Sequence, residues 1–79
     1  MTMDDMILDA RGLFCPMPVL RARKALRALG PGRVLAVDAT DPAADADLRA
    51  FCRAAGYRFL EATPLEEGAT RYRIESGAG

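Results

Sequence analysis

Apolar residues recur at steps of three and four in two separate stretches of this chain, and each stretch predicts an amphipathic helix. The first stretch follows Pro16 and ends at the Gly-Pro-Gly run 30–32, which is typical of a helix break. The second precedes Gly56, a residue favoured at helix C-caps. The two apolar faces consist of Val19, Ala22, Leu26 and Leu29 in the first helix and Leu48, Phe51, Cys52 and Ala55 in the second.

The second helix also has signals at its start. Asp41 followed by Pro42 is typical of an N-cap and a first helical residue, because the carboxylate accepts a free N–H and proline needs none. Asp45 and Asp47 follow early in the helix, where the helix dipole favours acids. We therefore expect this helix to begin at Pro42.

Four shorter stretches have the composition of strands. Residues 6–10 and 34–37 are apolar runs, and the second is typical of a strand buried within a sheet. Residues 57–63 and 70–75 flank a connection at 64–68 that contains proline and glycine. Because this connection is short, the last two strands should be antiparallel neighbours. The predicted element order is βαβαββ.

This order predicts an α/β fold of the α+β type, a two-layer sandwich with a mixed four-stranded sheet. Crossovers of the usual right hand would place both helices on one face of that sheet. Because 79 residues are enough for one domain and too few for two, we expect a single domain over residues 1–79. Residues 1–4 and 76–79 are expected to be disordered.

The charges are segregated along the chain, although the formal net charge is zero. Residues 1–10 hold three acids and no base, whereas residues 11–33 hold six bases and no acid. Two interpretations of the bases on the first helix remain open: a solvated surface, or a surface that steers the protein toward an acidic partner or a nucleic acid. We call this set the basic face; it consists of Arg21, Arg23, Lys24 and Arg27.

The chain has no histidine, which removes the commonest general base and the commonest metal ligand. Two cysteines 37 residues apart supply neither the ligand number nor the spacing of a zinc site, so we expect no metal and no cofactor. The sparse cysteines and the lack of a secretory signal favour a reducing, cytoplasmic location. The longest uncharged stretch, residues 13–20, contains two prolines, so we expect no membrane association.

Cys15 immediately precedes the predicted first helix and is the candidate reactive residue. The first N–H groups of a helix lack partners within it, so we expect Pro16 at the first helical position and the Met17 N–H directed at the sulfur. Pro18 is tolerated within the first turn. Because the helix dipole favours a thiolate, we expect a lowered pKa for Cys15. The alternative is an ordinary buried cysteine.

Other candidate residues have local structural explanations. Cys52 lies on the apolar face of the second helix and is expected in the core. Asp9 lies near the end of the first strand and Asp41 is the expected N-cap, so neither is predicted to act as a catalytic base. Gly12 is expected to permit the turn into the first helix.

The stretch 8–20, with the sequence LDARGLFCPMPVL, resembles the N-terminal signature of the TusA/SirA-like sulfur carriers. Its Cys-Pro-x-Pro motif, at the start of the first helix of a βαβαββ chain, is a specific feature. Lys24, the Asp41-Pro42 pair and the Phe51-Cys52 pair fall where that family has similar residues, so the resemblance covers nearly the whole chain. The family's fold is similar to the C-terminal domain of translation initiation factor 3, in agreement with the predicted order.

The resemblance implies that the Cys15 thiolate attacks the outer sulfur of a persulfide on a cysteine desulfurase or rhodanese-type donor. The resulting Cys15 persulfide would then be attacked by the thiol of an acceptor protein. In that family the acceptors serve tRNA thiolation, molybdenum cofactor synthesis or sulfur oxidation. The basic face would dock a partner, and we expect a monomer. The supporting residues of the motif are Arg11, Gly12, Pro16, Met17 and Pro18.

Parts of the sequence also suggest two functions other than sulfur transfer. A small non-catalytic RNA-binding module is suggested by the basic first helix and the initiation-factor-like fold, but few aromatics and zero net charge argue against direct nucleic acid binding. A thiol redox regulator would need a resolving cysteine, and there is no Cys-x-x-Cys pair. Sulfurtransferase activity is expected only together with partner proteins.

Overall fold

The computed structural model describes residues 4–77, which form four strands and two helices in the predicted order βαβαββ. No helix in this part of the chain is long and apolar enough to cross a membrane. The predicted mixed sheet with two helices is confirmed. The elements are β1 (Met6–Ala10), α1 (Met17–Leu29), β2 (Val34–Ala39), α2 (Ala44–Ala55), β3 (Arg58–Pro64) and β4 (Thr70–Glu75).

The four strands lie in the order β1-β2-β4-β3. β1 runs parallel to β2, while β4 is antiparallel to both of its neighbours, so the predicted hairpin between β3 and β4 is confirmed. The last strand therefore lies inside the sheet instead of at its edge. Because β1, β2 and β3 run in the same direction, the connections that follow them emerge at one end of the sheet.

The core lies between one face of the sheet and the two helices. Leu35 and Val37 of β2 and Ile74 of β4 are buried on this face against Leu26 of α1 and Leu48 of α2. The alternation of apolar and charged residues in β4 explains the arrangement, because successive side chains of a strand face opposite sides. Burying these side chains contributes roughly 1.5–3 kcal/mol each to stability.

The other face of the sheet carries ion pairs instead of a second layer of helices. Arg71 of β4 donates to both carboxylate oxygens of Asp38 on β2, at 2.7 and 2.8 Å. Arg73 donates to Asp4 at 3.0 Å and to Glu61 at 2.9 Å. The charged positions of β4 are therefore neutralised by neighbouring strands and by the segment that precedes β1.

The expected disorder concerns residues 1–4 and 76–79, of which residues 1–3 and 78–79 lie outside the described part of the chain. The carboxylate of Asp4 is bound by Arg73. Ser76 is buried; its hydroxyl donates to the Gly30 carbonyl and accepts from the Arg33 N–H at 2.9 Å. These long-range hydrogen bonds could not be inferred from the local composition of the ends.

Replacing Arg71 by methionine should lower the free energy of unfolding by about 2 kcal/mol, because the buried Asp38 carboxylate would lose its bidentate partner. Arg58→Met is the matched control, since its ion pair with Glu75 is exposed and its loss should cost less than about 0.5 kcal/mol. Urea unfolding of the two variants measures both values. Equal losses would show that the Asp38–Arg71 pair is no stronger than a surface pair.

Candidate functional site

Cys15 lies in the connection between β1 and α1, which packs against the connection between β2 and α2. We call residues 11–16 the Cys15 loop and residues 40–43 the Asp41 loop. The Gly12 N–H donates to the Thr40 hydroxyl at 2.9 Å, and the Cys15 N–H donates to the Asp41 carboxylate at 2.7 Å. Gly12 has a φ of 80°, which glycine adopts readily. The parallel pairing of β1 with β2 thus brings the two loops together.

The start of α1 differs from the prediction by one residue. Pro16 is the N-cap and α1 begins at Met17, so Pro18 is the second helical residue and is buried. The Met17 N–H donates to the Phe14 carbonyl at 2.8 Å. The expectation that this N–H is directed at the Cys15 sulfur is therefore wrong, because a turn within the Cys15 loop already uses it.

The electrostatic surroundings of Cys15 also differ from the prediction. Its thiol is free and exposed, and the Asp47 carboxylate of α2, which accepts a hydrogen bond from the protonated thiol, raises the pKa of Cys15 above its ordinary value. Partial desolvation and the charge of Asp41 raise this pKa further. The expected lowering of this pKa by the start of α1 is therefore wrong, because Asp47, partial desolvation and Asp41 all shift it in the opposite direction.

Asp41 was predicted only as the N-cap of the second helix, and its role in the site was missed. The prediction that Asp41 is the N-cap and that α2 begins at Pro42 is wrong by two residues, because the N-cap is Ala43 and α2 begins at Ala44. The second carboxylate oxygen of Asp41 accepts the Ala43 N–H at 3.2 Å, in the turn that precedes α2. The other oxygen is the one that binds the Cys15 N–H. Two parallel strands, each followed by a loop, were the available signal, because such loops share one end of a sheet.

Cys52 has the opposite surroundings to Cys15. It lies in α2 and its side chain is buried in the core, as predicted. Burial raises the pKa of Cys52 to about 11, because the apolar surroundings disfavour the thiolate. Of the two thiols, only that of Cys15 is open to another protein.

The remaining residues of the predicted motif have distinct places around the loop. Arg11 donates to both carboxylate oxygens of Asp9, at 2.9 and 3.2 Å, and so ties the end of β1 to the start of the Cys15 loop. Met17 is partly exposed at the first turn of α1. Phe14, next to Cys15, leaves 72% of its surface exposed. The thiol is thus bordered by apolar side chains as well as by acids.

Comparison with known proteins identifies the chain. The model of the family described as Sulfurtransferase TusA matches residues 6–76. This chain belongs to the TusA family. The match begins at the first residue of β1 and extends just past β4, so it includes both loops of the site.

Relatives in the TusA family are similar over most of their length. The sulfur carrier protein TusA of Allochromatium vinosum is 48% identical over 64 residues, which are 81% of this chain and 82% of that protein. A Bacillus subtilis protein named as a candidate sulfur carrier is 42% identical over 73 residues, 92% of this chain and 96% of the relative. These names support a sulfur-carrying role at the level of the family.

A solved structure gives the same fold. The crystal structure of a SirA-like protein from Desulfitobacterium hafniense matches with a TM-score of 0.81 and 33% identity, covering 91% of this chain and 97% of that one. The TusA/SirA-like resemblance stated from the sequence is thereby confirmed. Interaction with a sulfur donor and a sulfur acceptor follows from membership of such a family.

The basic face lies on α1, the helix that begins two residues after Cys15. All four of its side chains are exposed, and within residues 4–77 none of them forms an ion pair. The other two bases of the segment 11–33 are neutralised, since Arg11 pairs with Asp9 and Arg33 with Asp5. In this TusA-family chain the uncompensated positive charge of that segment is therefore concentrated on α1.

Replacing Asp47 by asparagine should lower the pKa of Cys15, because it removes the negative charge that raises this pKa most. A larger fraction of the thiol would then be ionised at pH 7, and its reaction with iodoacetamide should become faster. Alkylation rates followed by mass spectrometry measure the effect.

Asp45→Asn is the matched control, since Asp45 lies in the same turn of α2 but pairs with Arg49 at 2.7 Å. Its alkylation rate should equal that of the wild type. An equal acceleration in both variants would mean that the overall charge of α2, and not the Asp47 carboxylate, controls the thiol.

Proposed function

We propose that this chain carries sulfur as a persulfide on Cys15, receiving it from one protein and delivering it to another. The observation that carries the proposal is the contrast between an exposed Cys15 thiol, on a loop held at the end of the sheet, and a Cys52 thiol enclosed in the core. A transferred sulfur must be reached by two partners in turn, which an exposed loop permits. Family membership supports the same role.

The transfer requires only thiol and persulfide chemistry. The Cys15 sulfur attacks the outer sulfur of the donor persulfide, a new S–S bond forms on Cys15, and the S–S bond in the donor breaks. The donor thiolate leaves with the electron pair and takes up the proton that Cys15 gives up, so no outside oxidant or reductant is consumed. In the second step the acceptor thiol attacks the outer sulfur on Cys15 and restores the free cysteine.

Because the pKa of Cys15 is raised, we propose that docking of the donor helps to generate the reactive thiolate. A raised pKa lowers the thiolate fraction at a given pH and so slows reaction with small electrophiles, and the sulfur becomes nucleophilic when its proton is removed. Docking of a partner that brings positive charge near Asp41 or Asp47 would favour the thiolate at the moment of transfer. The unloaded Cys15 thiol would thus be protected from unwanted reactions until it meets a donor.

We further propose that the donor is a cysteine desulfurase or a rhodanese-type protein and that the acceptor serves tRNA thiolation, molybdenum cofactor synthesis or sulfur oxidation. Both classes of donor present sulfur as a persulfide, which is the form that the proposed transfer requires. The reaction belongs to a reducing compartment such as the cytoplasm, where the Cys15 thiol stays free. The basic face is the proposed docking surface for the donor, since it carries unpaired positive charge on the helix that begins two residues after Cys15.

Incubation with a cysteine desulfurase and free cysteine should add the mass of one sulfur atom to Cys15. Cys15→Ser should abolish this adduct without unfolding the domain, whereas Cys52→Ala should still be loaded, with a loss of about 1 kcal/mol of stability from the buried truncation. Intact-protein and peptide mass spectrometry locate the adduct. An adduct that persists in Cys15→Ser and disappears in Cys52→Ala would exclude the assignment.

Reversing the charge of the basic face with Arg23→Glu and Lys24→Glu should slow sulfur loading by about tenfold at low salt and much less at high salt, because docking between opposite charges is screened by ions. The measurement is the loading rate at several salt concentrations. Far-ultraviolet circular dichroism establishes that the fold is retained.

The matched control is the double variant Arg53→Glu and Arg58→Glu, which changes the net charge equally on α2 and β3. Its loading rate should remain close to that of the wild type. Equal slowing in both double variants would mean that the net charge of the protein, and not the basic face, controls the rate of sulfur loading. Tight RNA binding by the wild type, lost with the basic-face variant, would instead support an RNA-binding module.

A further inference from the structure

Asp41 binds two separate segments of backbone with its two carboxylate oxygens. One oxygen accepts the Cys15 N–H at 2.7 Å, across a separation of 26 residues in the sequence. The other accepts the Ala43 N–H at 3.2 Å, and the Asp41 carbonyl accepts the Ala44 N–H at 3.0 Å. The residue is thus anchored at the start of α2 and reaches across to the Cys15 loop.

The hydrogen bond to the Cys15 amide restricts where the sulfur can lie. Its length is typical of a charge-assisted hydrogen bond, which is stronger than one between neutral groups. On the far side of Cys15, the Met17 N–H donates to the Phe14 carbonyl and closes a turn around the cysteine. With the backbone held in this way, the sulfur has only the rotation about one side-chain bond left, because cysteine has a single torsion before Sγ.

The same residue also sets the position of the charged group that faces the thiol. Asp41 binds the Ala43 N–H, and the Ala43 carbonyl accepts the Asp47 N–H at 3.0 Å. The charged groups that act on the Cys15 thiol are Asp47 on α2 and Asp41 in the loop before it. A continuous path of hydrogen bonds therefore runs from the Cys15 amide through Asp41 to the first turn of α2.

We propose that Asp41 is a positioning residue for sulfur transfer, which holds the Cys15 backbone so that the sulfur lies at a fixed place beside the first turn of α2. This inference rests on the proposed role of Cys15 as the sulfur carrier. Asp41 does not touch the transferred sulfur; it acts through the Cys15 amide. A fixed sulfur matters because transfer needs three sulfur atoms in line, and a displacement of about 1 Å can cost up to a hundredfold in rate.

The test is a double-mutant cycle at positions 41 and 47, made in a Cys52→Ala background so that only Cys15 can be alkylated. The measured quantity is the pH at which iodoacetamide alkylates Cys15 at half its maximal rate. Asp47→Asn should lower this pH in the parent protein. In the presence of Asp41→Ala, the same Asp47 change should have little effect, because the released Cys15 loop no longer holds the thiol against α2. Strictly additive effects of the two substitutions would mean that Asp41 acts only as a nearby charge, and would overturn the proposal.

Asp41→Asn keeps the test valid if the alanine variant fails to fold. Asparagine has one acceptor oxygen instead of two, so it can keep either the bond to Cys15 or the bond to Ala43 but not both. The coupling between positions 41 and 47 should therefore be reduced but not lost. If Asp41→Asn and Asp41→Ala gave the same coupling to position 47, the proposed use of both Asp41 carboxylate oxygens would be contradicted. Asp45→Ala, in the same turn of α2, should show no coupling to Asp47.

Sulfur transfer gives an independent readout. Asp41→Ala should lower kcat for loading by a cysteine desulfurase about tenfold with little change in KM, because the basic face that docks the donor remains intact. An unchanged kcat would overturn the positioning role. Failure of the wild type to load any sulfur on Cys15 would instead refute the carrier function, while the alkylation cycle, which needs only iodoacetamide, would still decide the role of Asp41.

Discussion

The parallel pairing of β1 with β2 is the constraint on which the site depends. Neighbouring parallel strands have their carboxyl ends at the same end of the sheet, so the two connections that follow them must lie side by side. In this protein one connection holds Cys15 and the other holds Thr40 and Asp41, and backbone amides of the first donate hydrogen bonds to these two side chains of the second. The position of the Cys15 thiol therefore depends on both loops, although Cys15 itself lies in only one of them.

The elements of the fold could be predicted because local patterns determine them. The apolar spacing around Leu26 and Leu48 identified both helices, and the alternation in residues 70–75 identified β4 and the face it turns to the core. The place of Cys52 followed from the same reasoning. Local patterns could not predict the order of the strands in the sheet. The hairpin partner of β3 can lie on either side of it, and only packing decides that β4 lies between β2 and β3.

The chemistry of the site was harder to predict than its location. The Cys-Pro-Met-Pro motif correctly pointed to Cys15, but the expected pKa was wrong because it considered α1 alone. The groups that raise the pKa, Asp47 and Asp41, come from a different part of the chain, and no periodicity links them to Cys15. A shift of one residue in the start of α1 also redirected the Met17 N–H to the Phe14 carbonyl. Electrostatics depends on tertiary neighbours that a linear motif does not contain.

The central place of β4 has a consequence for how this protein is made. β4, the strand that joins β2 to β3, leaves the ribosome after both of its neighbours, and its pairing with β2 spans as many as 41 residues, from Val34 to Glu75. A nascent chain that stops before Thr70 has an unpaired edge along β2, and its core lacks Tyr72 and Ile74. The sheet can therefore be completed only once β4 has been synthesised, because until then β2 and β3 have no strand between them.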